Sequence, residues 1–221
     1  GSDFSFTVSL TPPFSLFDNK DYANLANNPS AGNYSEQLQE KYRWIEYHKW
    51  KFKSRTYTSL SGGNKCLVLM TRVEFGILGS YNKSKKSPFE TFYVGGDGTS
   101  GYTSTYATET IGMRGYDNGS LTPNGYSGYA YDRFTVELRY PFMLNNSTNI
   151  YGLVFAEGGN AWNSVRKFNP FDMKRSVGAG VRIFLPMVGL LGIDWAYGFD
   201  DVFGSKTYSG SHFHFILGQE F

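Results

Sequence analysis

The sequence predicts an all-β chain: an antiparallel transmembrane β-barrel with about eight strands, in a single domain over residues 1–221. Three observations predict it. Apolar residues recur at every second position in segment after segment, the period of a strand with one face on lipid and the other on a polar interior. The segments between are alternately long and short. No run of about 18 apolar residues occurs, so no transmembrane helix is encoded. A barrel strand shows lipid only at alternate residues, so its mean hydropathy stays low, and the expected location is the bacterial outer membrane.

The strands follow in order. Phe4, Phe6, Val8 and Leu10 oppose Ser5, Thr7 and Ser9. A less regular strand over roughly 41–58 sets Tyr42, Trp44, Trp50 and Phe52 against Arg43, Lys49, Lys51 and Lys53. The third, over 65–81, carries Leu67, Leu69, Val73, Phe75 and Ile77 against Arg72 and Glu74. Around 134–140, Phe134, Val136, Leu138 and Tyr140 oppose Thr135, Glu137 and Arg139. A fifth runs from Ile150 to Trp162. In the sixth, Val177, Ala179, Val181, Ile183 and Leu185 alternate with Gly178, Gly180 and Arg182. Leu191, Ile193, Trp195, Tyr197 and Phe199 face away from Gly192, Asp194, Ala196 and Gly198 in the seventh. The last sets Phe213, Phe215, Leu217 and Phe221 against His212, His214, Gly218 and Glu220.

The connections 11–40, 82–127, 163–175 and 200–210 are long, and 59–64, 145–148 and 186–189 are short. Outer-membrane barrels have short periplasmic turns and long extracellular loops, which places both chain ends on the periplasmic side. The 82–127 loop is rich in Gly, Ser and Thr and long enough to expect a function for it.

Composition narrows the function classes. Lys plus Arg is 21 against 19 for Asp plus Glu, so the net charge of +2 leaves no electrostatic footprint for nucleic acid. The 18% of aromatic residues and 26 glycines favour strands over helices. A single cysteine, Cys66, excludes an internal disulfide or a zinc framework, and is expected to pack in the barrel wall. His48, His212 and His214 are too few and scattered for a metal site, so no metal is expected, and the last two read as lumen lining. No Ser-His-Asp grouping, P-loop or dinucleotide fingerprint occurs, so neither enzymatic activity nor a cofactor is expected. Gly1-Ser2-Asp3 reads as an expression scar, which makes the chain a piece of a longer protein.

The alternation turns Glu137 and Glu157 into the lumen from neighbouring strands, with Phe155 on the same face as Glu157. Two close acids could serve a glycosidase, but the strand framework accounts for both without it. From spacing alone, two readings stand. Either the acids line a wet lumen while Arg114 sits on a solvated loop, or they take the planar fork of Arg114 as their partner, with Phe155 stacked on the guanidinium. Lys49, Lys51, Lys53 and Arg55 form a basic stripe, which reads as a solvated lumenal face balanced by acids or as an anion-selective lining.

Three local patterns carry a family resemblance. One is Pro88-Phe89-Glu90-Thr91-Phe92-Tyr93-Val94-Gly95-Gly96-Asp97 followed by Met113-Arg114-Gly115-Tyr116. The second is Val136-Glu137-Leu138-Arg139-Tyr140-Pro141-Phe142 with Phe155-Ala156-Glu157-Gly158-Gly159-Asn160-Ala161-Trp162. The third is the aromatic terminus Phe215-Ile216-Leu217-Gly218-Gln219-Glu220-Phe221. In this order they resemble the BamA-type family of outer-membrane protein assembly factors, in its Bacteroidetes type. Two features depart from the pattern: Glu157 stands where the family usually has Asp, and the stretch from Gly96 to Met113 is longer.

The resemblance implies the C-terminal half of a sixteen-stranded barrel, with the POTRA domains and the first half absent from this chain. It implies that loop 82–127 folds inward and docks Arg114, Gly115 and Tyr116 on the wall at Glu137, Phe155 and Glu157. It makes Phe215, Leu217, Gly218 and Phe221 a lateral seam and C-terminal targeting signal. It implies a non-enzymatic insertase whose partners are outer-membrane lipid, unfolded outer-membrane protein clients and, through the POTRA domains, lipoprotein subunits of an assembly complex. A polypeptide-secretion channel or pore of the same superfamily is the alternative. Gly218 either weakens pairing at the seam or fits close packing at the rim. The open edges of such a half-barrel would be covered by self-closure or by a second copy, giving a homodimer. Self-closure leaves a narrow lumen and conflicts with docking of the bulky loop.

Overall fold

A computed structural model describes residues 1–63, 65–98, 109–145, 148–186 and 189–218. Eight strands form one antiparallel sheet. They are β1 (Ser2–Leu10), β2 (His48–Ser59), β3 (Val68–Gly79), β6 (Ala130–Leu144), β7 (Asn149–Trp162), β8 (Lys174–Leu185), β9 (Gly189–Gly198) and β10 (Ser211–Leu217). Each pairs with its neighbour in the chain, in the order just given. Two three-residue strands, β4 (Phe92–Val94) and β5 (Glu109–Ile111), pair in parallel inside the long loop between β3 and β6. A helix, α1 (Tyr34–Lys41), lies in the first long connection.

The sheet is inside-out relative to a water-soluble protein. Its outward face exposes Phe4, Phe6, Trp50, Val136, Val154, Ile193, Phe213 and Phe215. Its inward face buries Lys49, Arg72, Glu74, Arg133, Glu137, Glu157, Arg182, Asp194 and His214. Lipid selects the first set, and a polar interior closed over by loops selects the second. Among the described residues, no helix is long and apolar enough to cross a membrane. The apolar cluster lies at the loop end of the lumen, where Phe92, Val94, Ile111, Met113, Tyr116 and Leu121 of the long loop pack on Leu78, Tyr131, Ala161 and Val202.

The strand predicted over 41–58 starts later, at His48. Tyr42 and Trp44 mimic strand alternation, but Trp44 packs on Phe14 at 5.2 Å between ring centroids and Glu46 turns inward to accept from Ser15 N and Oγ. Residues 42–47 therefore belong to the loop, and 34–41, with Glu, Gln, Leu and Lys, take the helix that their propensities favour. The third strand is shorter than 65–81 as well, because Leu67 N donates to Ser61 Oγ in the turn. Cys66 lies in that turn, half-buried, and not in the barrel wall. Ser2 and Asp3 are strand residues of β1, and Gly1 closes the ladder against Tyr57.

Register sorts the basic stripe. Lys53 lies opposite Glu74 and pairs with it at 3.0 Å, and Arg55 reaches Asp3 at 3.5 Å. Lys49 and Lys51 bind Glu109 of the loop at 2.9 and 2.8 Å, and Lys49 also holds Glu90. The stripe is a lumenal face paired with acids, several of which the loop supplies.

Among the described residues, β1 and β10 each pair on one side only, so the sheet is open and does not join its first strand to its last. Cysteines at Phe6 and Phe52, opposed in the β1–β2 register, should cross-link within one chain when Cys66 is replaced by Ala. A pair at Phe6 and Phe215 should not. Non-reducing gels of folded material check both, and an intrachain bond between Phe6 and Phe215 would mean that the sheet closes on itself.

Candidate functional site

The long loop returns into the half-barrel and places one guanidinium against three strands. Arg114 is fully buried. Its Nη2 donates to Glu157 Oε1 at 2.7 Å on β7 and to Glu137 Oε2 at 3.1 Å on β6. Its Nη1 donates to Asp194 Oδ2 at 2.8 Å on β9. Its flat face lies on the Phe155 ring, 3.4 Å from guanidinium carbon to centroid. The planar fork with donors on separate nitrogens is what lets one side chain serve three acids, since a lysine ammonium is a point charge without that reach. Burial works against the charged form, but the carboxylates of Glu157 and Glu137 outweigh it and raise the Arg114 pKa.

The carboxylates are themselves held. Glu157 Oε2 accepts from Arg114 N at 3.0 Å, so backbone and side chain of the same residue grip one acid. Its Oε1 also accepts from Thr135 Oγ1 at 3.1 Å and Arg133 Nη2 at 3.3 Å. Glu137 Oε1 takes Arg139 Nε at 2.6 Å, and Asp194 is shared with Arg182, whose Nη2 lies at 2.7 Å. Charges this deeply buried are stable only when paired and hydrogen-bonded in this way.

The two residues after Arg114 fix the approach. Gly115 has φ +87°, and a Cβ there would meet Gly198 N and Ser176 Cβ at 2.8 Å. Only glycine brings the backbone this close to the wall. Gly115 N donates to His214 Nε2 at 2.9 Å, which requires that imidazole nitrogen to be unprotonated. Tyr116 is buried, donates its hydroxyl to Arg175 O at 2.7 Å and bridges to Ser209. Gly178 leaves room for the Phe155 ring, which a Cβ there would meet at 2.4 Å. Behind the tip, Gly96 and Met113 exchange backbone hydrogen bonds at 3.0 and 2.9 Å, tying the double-glycine segment to the base of the motif.

The structure thus brings together Arg114, Gly115, Tyr116, Glu137, Phe155 and Glu157. Sequence reasoning missed Asp194, Arg182, Arg133, Thr135 and His214 as members of the cluster. The alternation turns Asp194, Arg182, Thr135 and His214 inward, but the strand register that aligns them with the loop tip is a long-range property.

The predicted seam lies elsewhere. Phe215 and Leu217 are exposed on the outward face of β10, beside inward Ile216. Gly218 adopts φ +73°, ending the strand, while its N–H still donates to Leu190 O on β9 at 2.7 Å. Its backbone leaves the strand conformation without losing the pairing to β9. Phe221 lies outside the described residues.

Residues 3–221 match a family model described as the Omp85 superfamily domain. The fold is similar to a crystal structure of BamA from Haemophilus ducreyi lacking POTRA domains 1–3, with a TM-score of 0.54 and 19% identity over 76% of this chain. The match covers 34% of that protein, so the chain spans about a third of its length. A search of curated protein sequences found no match.

Replacing Arg114 by Ala leaves Glu137, Glu157 and Asp194 together without their shared cation. Breaking a buried pair in this way should destabilise the folded barrel by about 3–5 kcal/mol. Arg114→Lys should recover only part of the loss. Urea titration followed by heat-modifiable gel migration measures both, and an Arg114→Ala barrel as stable as wild type would refute the clamp.

Proposed function

The chain belongs to the Omp85 superfamily, and from that premise we propose that it is the C-terminal half of the barrel of a non-enzymatic, BamA-type assembly factor that inserts other proteins into the bacterial outer membrane. The observation that carries the reading is the Arg114 clamp, which holds the long loop inside the half-barrel and fills the lumen with protein. A lumen occupied in this way suits a barrel that works at its wall better than one that conducts through its centre.

The wall has the means. β10 presents one edge without a partner among the described residues, and an unpaired edge in lipid is a template for another strand. Among the described residues β10 spans seven, against the roughly 9–11 that a tilted strand needs to cross the hydrocarbon. A short strand thins the bilayer beside it, and that mismatch lowers the barrier to insertion at the seam. Phe215 and Leu217 face that lipid, and Gly218 ends the strand while staying bonded to β9. The partners are unfolded outer-membrane clients and lipid, with lipoprotein subunits engaged through POTRA domains. No bond is made or broken: the protein supplies an edge and a thin place.

Reconstituting the full-length protein in liposomes tests the reading. A urea-unfolded outer-membrane client should fold faster than in empty liposomes, and Arg114→Ala should slow it by about tenfold, a barrier change of about 1.4 kcal/mol. Planar-bilayer current from the wild type should be small. A large steady current with no acceleration of client folding would instead favour a secretion channel of the same superfamily.

A further inference from the structure

The long loop that carries the clamp and the two long loops that follow it line a groove that the insertion chemistry does not use. It holds about 820 Å³ and runs between Tyr93 and residues 117–125 of the long loop, Asn163 of the β7–β8 loop, and Phe203 and Tyr208 of the β9–β10 loop. A second cavity of about 320 Å³ continues it, sharing Pro123, Asn163 and Phe203 as the common wall.

Phe203 is the least expected residue in it. Val202 and Ser205 exchange backbone hydrogen bonds at 2.8 and 3.0 Å around a two-residue turn, and Phe203 and Gly204 have φ +49° and +80°. Positive φ at both central positions is the pattern that Asn-Gly fills, and a phenylalanine there is strained. Packing of the apolar ring does not compensate, because Phe203 is 68% exposed. Val202 beside it is buried in the apolar cluster, so the strained turn is anchored and its ring is presented rigidly. Strain held in place at an exposed aromatic residue points to a binding role.

The rest of the wall identifies the ligand chemistry. Tyr208 is half exposed, and the Tyr93 ring covers Gly119, where a Cβ would meet it at 1.8 Å. Asn124 and Asn163 make no side-chain hydrogen bond among the described residues, and the buried Ser120 Oγ has no partner. An amide offers a donor and an acceptor together, which matches a hydroxyl, and an aromatic face matches the C–H face of a pyranose ring. The 820 Å³ groove is lined by Asp117 and by no Lys or Arg among the described residues, and its continuation sets a single Lys174 beside Asp172, so no cluster of cations is built for phosphate. It opens among the long loops, on the side where an outer membrane bears its carbohydrate layer. We infer that this groove binds a neutral saccharide segment of the surface polysaccharide surrounding the barrel.

The probe is the lipid-A-free polysaccharide released by mild acid from the lipopolysaccharide of the membrane that carries the protein. It is titrated onto the full-length protein in detergent, with saturation-transfer NMR as the readout. Binding should be insensitive to salt, and Phe203→Ala should weaken it by about tenfold, the scale of an aromatic anchor. Phe203→Asn separates binding from folding, because Asn suits the turn. That variant should raise the apparent unfolding midpoint by about 2–4 °C while losing affinity to the same extent. No binding, binding abolished by salt, or a Phe203→Asn protein that binds as well as wild type would each overturn the proposal.

Discussion

Everything inside the half-barrel is arranged around one buried guanidinium. A cation as enclosed as Arg114 must be matched by anions, and anions in a barrel wall must in turn be matched by cations. The result is a closed circuit in which Glu137, Glu157 and Asp194 face Arg114 and are each braced from behind by Arg139, Arg133 or Arg182. The circuit crosses β6, β7, β8 and β9 and so reports on the register of all four. A slip of one residue on any of these strands would turn its member of the circuit out to lipid. The clamp and the sheet therefore specify each other.

The constraint from outside is of a different kind. Lipid supplies no hydrogen bonds, so every strand must satisfy its backbone against neighbours and show apolar side chains to the bilayer. That is why Phe4, Phe6, Val154, Ile193, Phe213 and Phe215 remain exposed, in a pattern that would be a liability on a water-soluble surface. The two requirements meet at period two, with the charged lattice on alternate positions of each strand and its apolar counterpart on the residues between.

Period two was legible in the sequence because it is local. The eight strands, the long-short rhythm of their connections, and the inward direction of Glu137, Phe155 and Glu157 all follow from neighbours one or two residues apart. The failures share a cause. Tyr42 and Trp44 alternate like strand residues, but Tyr42 caps α1, Trp44 packs on Phe14, and Glu46 beside it is held by Ser15, some thirty positions upstream. Asp194 and His214 reach the Arg114 tip only across distances of 80 and 99 residues in the chain, which no local pattern encodes. Cys66, expected in the barrel wall, lies in a turn set by hydrogen bonds of Ser61 and Leu67.

The long loop is fastened twice. Near its base, Glu90 and Glu109 hold Lys49 and Lys51 on β2, and at its tip Arg114 holds β6, β7 and β9. Mechanically it is a spoke strung across an arc: the strands between its two attachments cannot flatten or curl without stretching it. Curvature there is fixed. The rim is stiff along the whole arc that the spoke meets, from Lys49 on β2 to His214 on β10, so the loop that enters the lumen also sets how tightly the wall is bent.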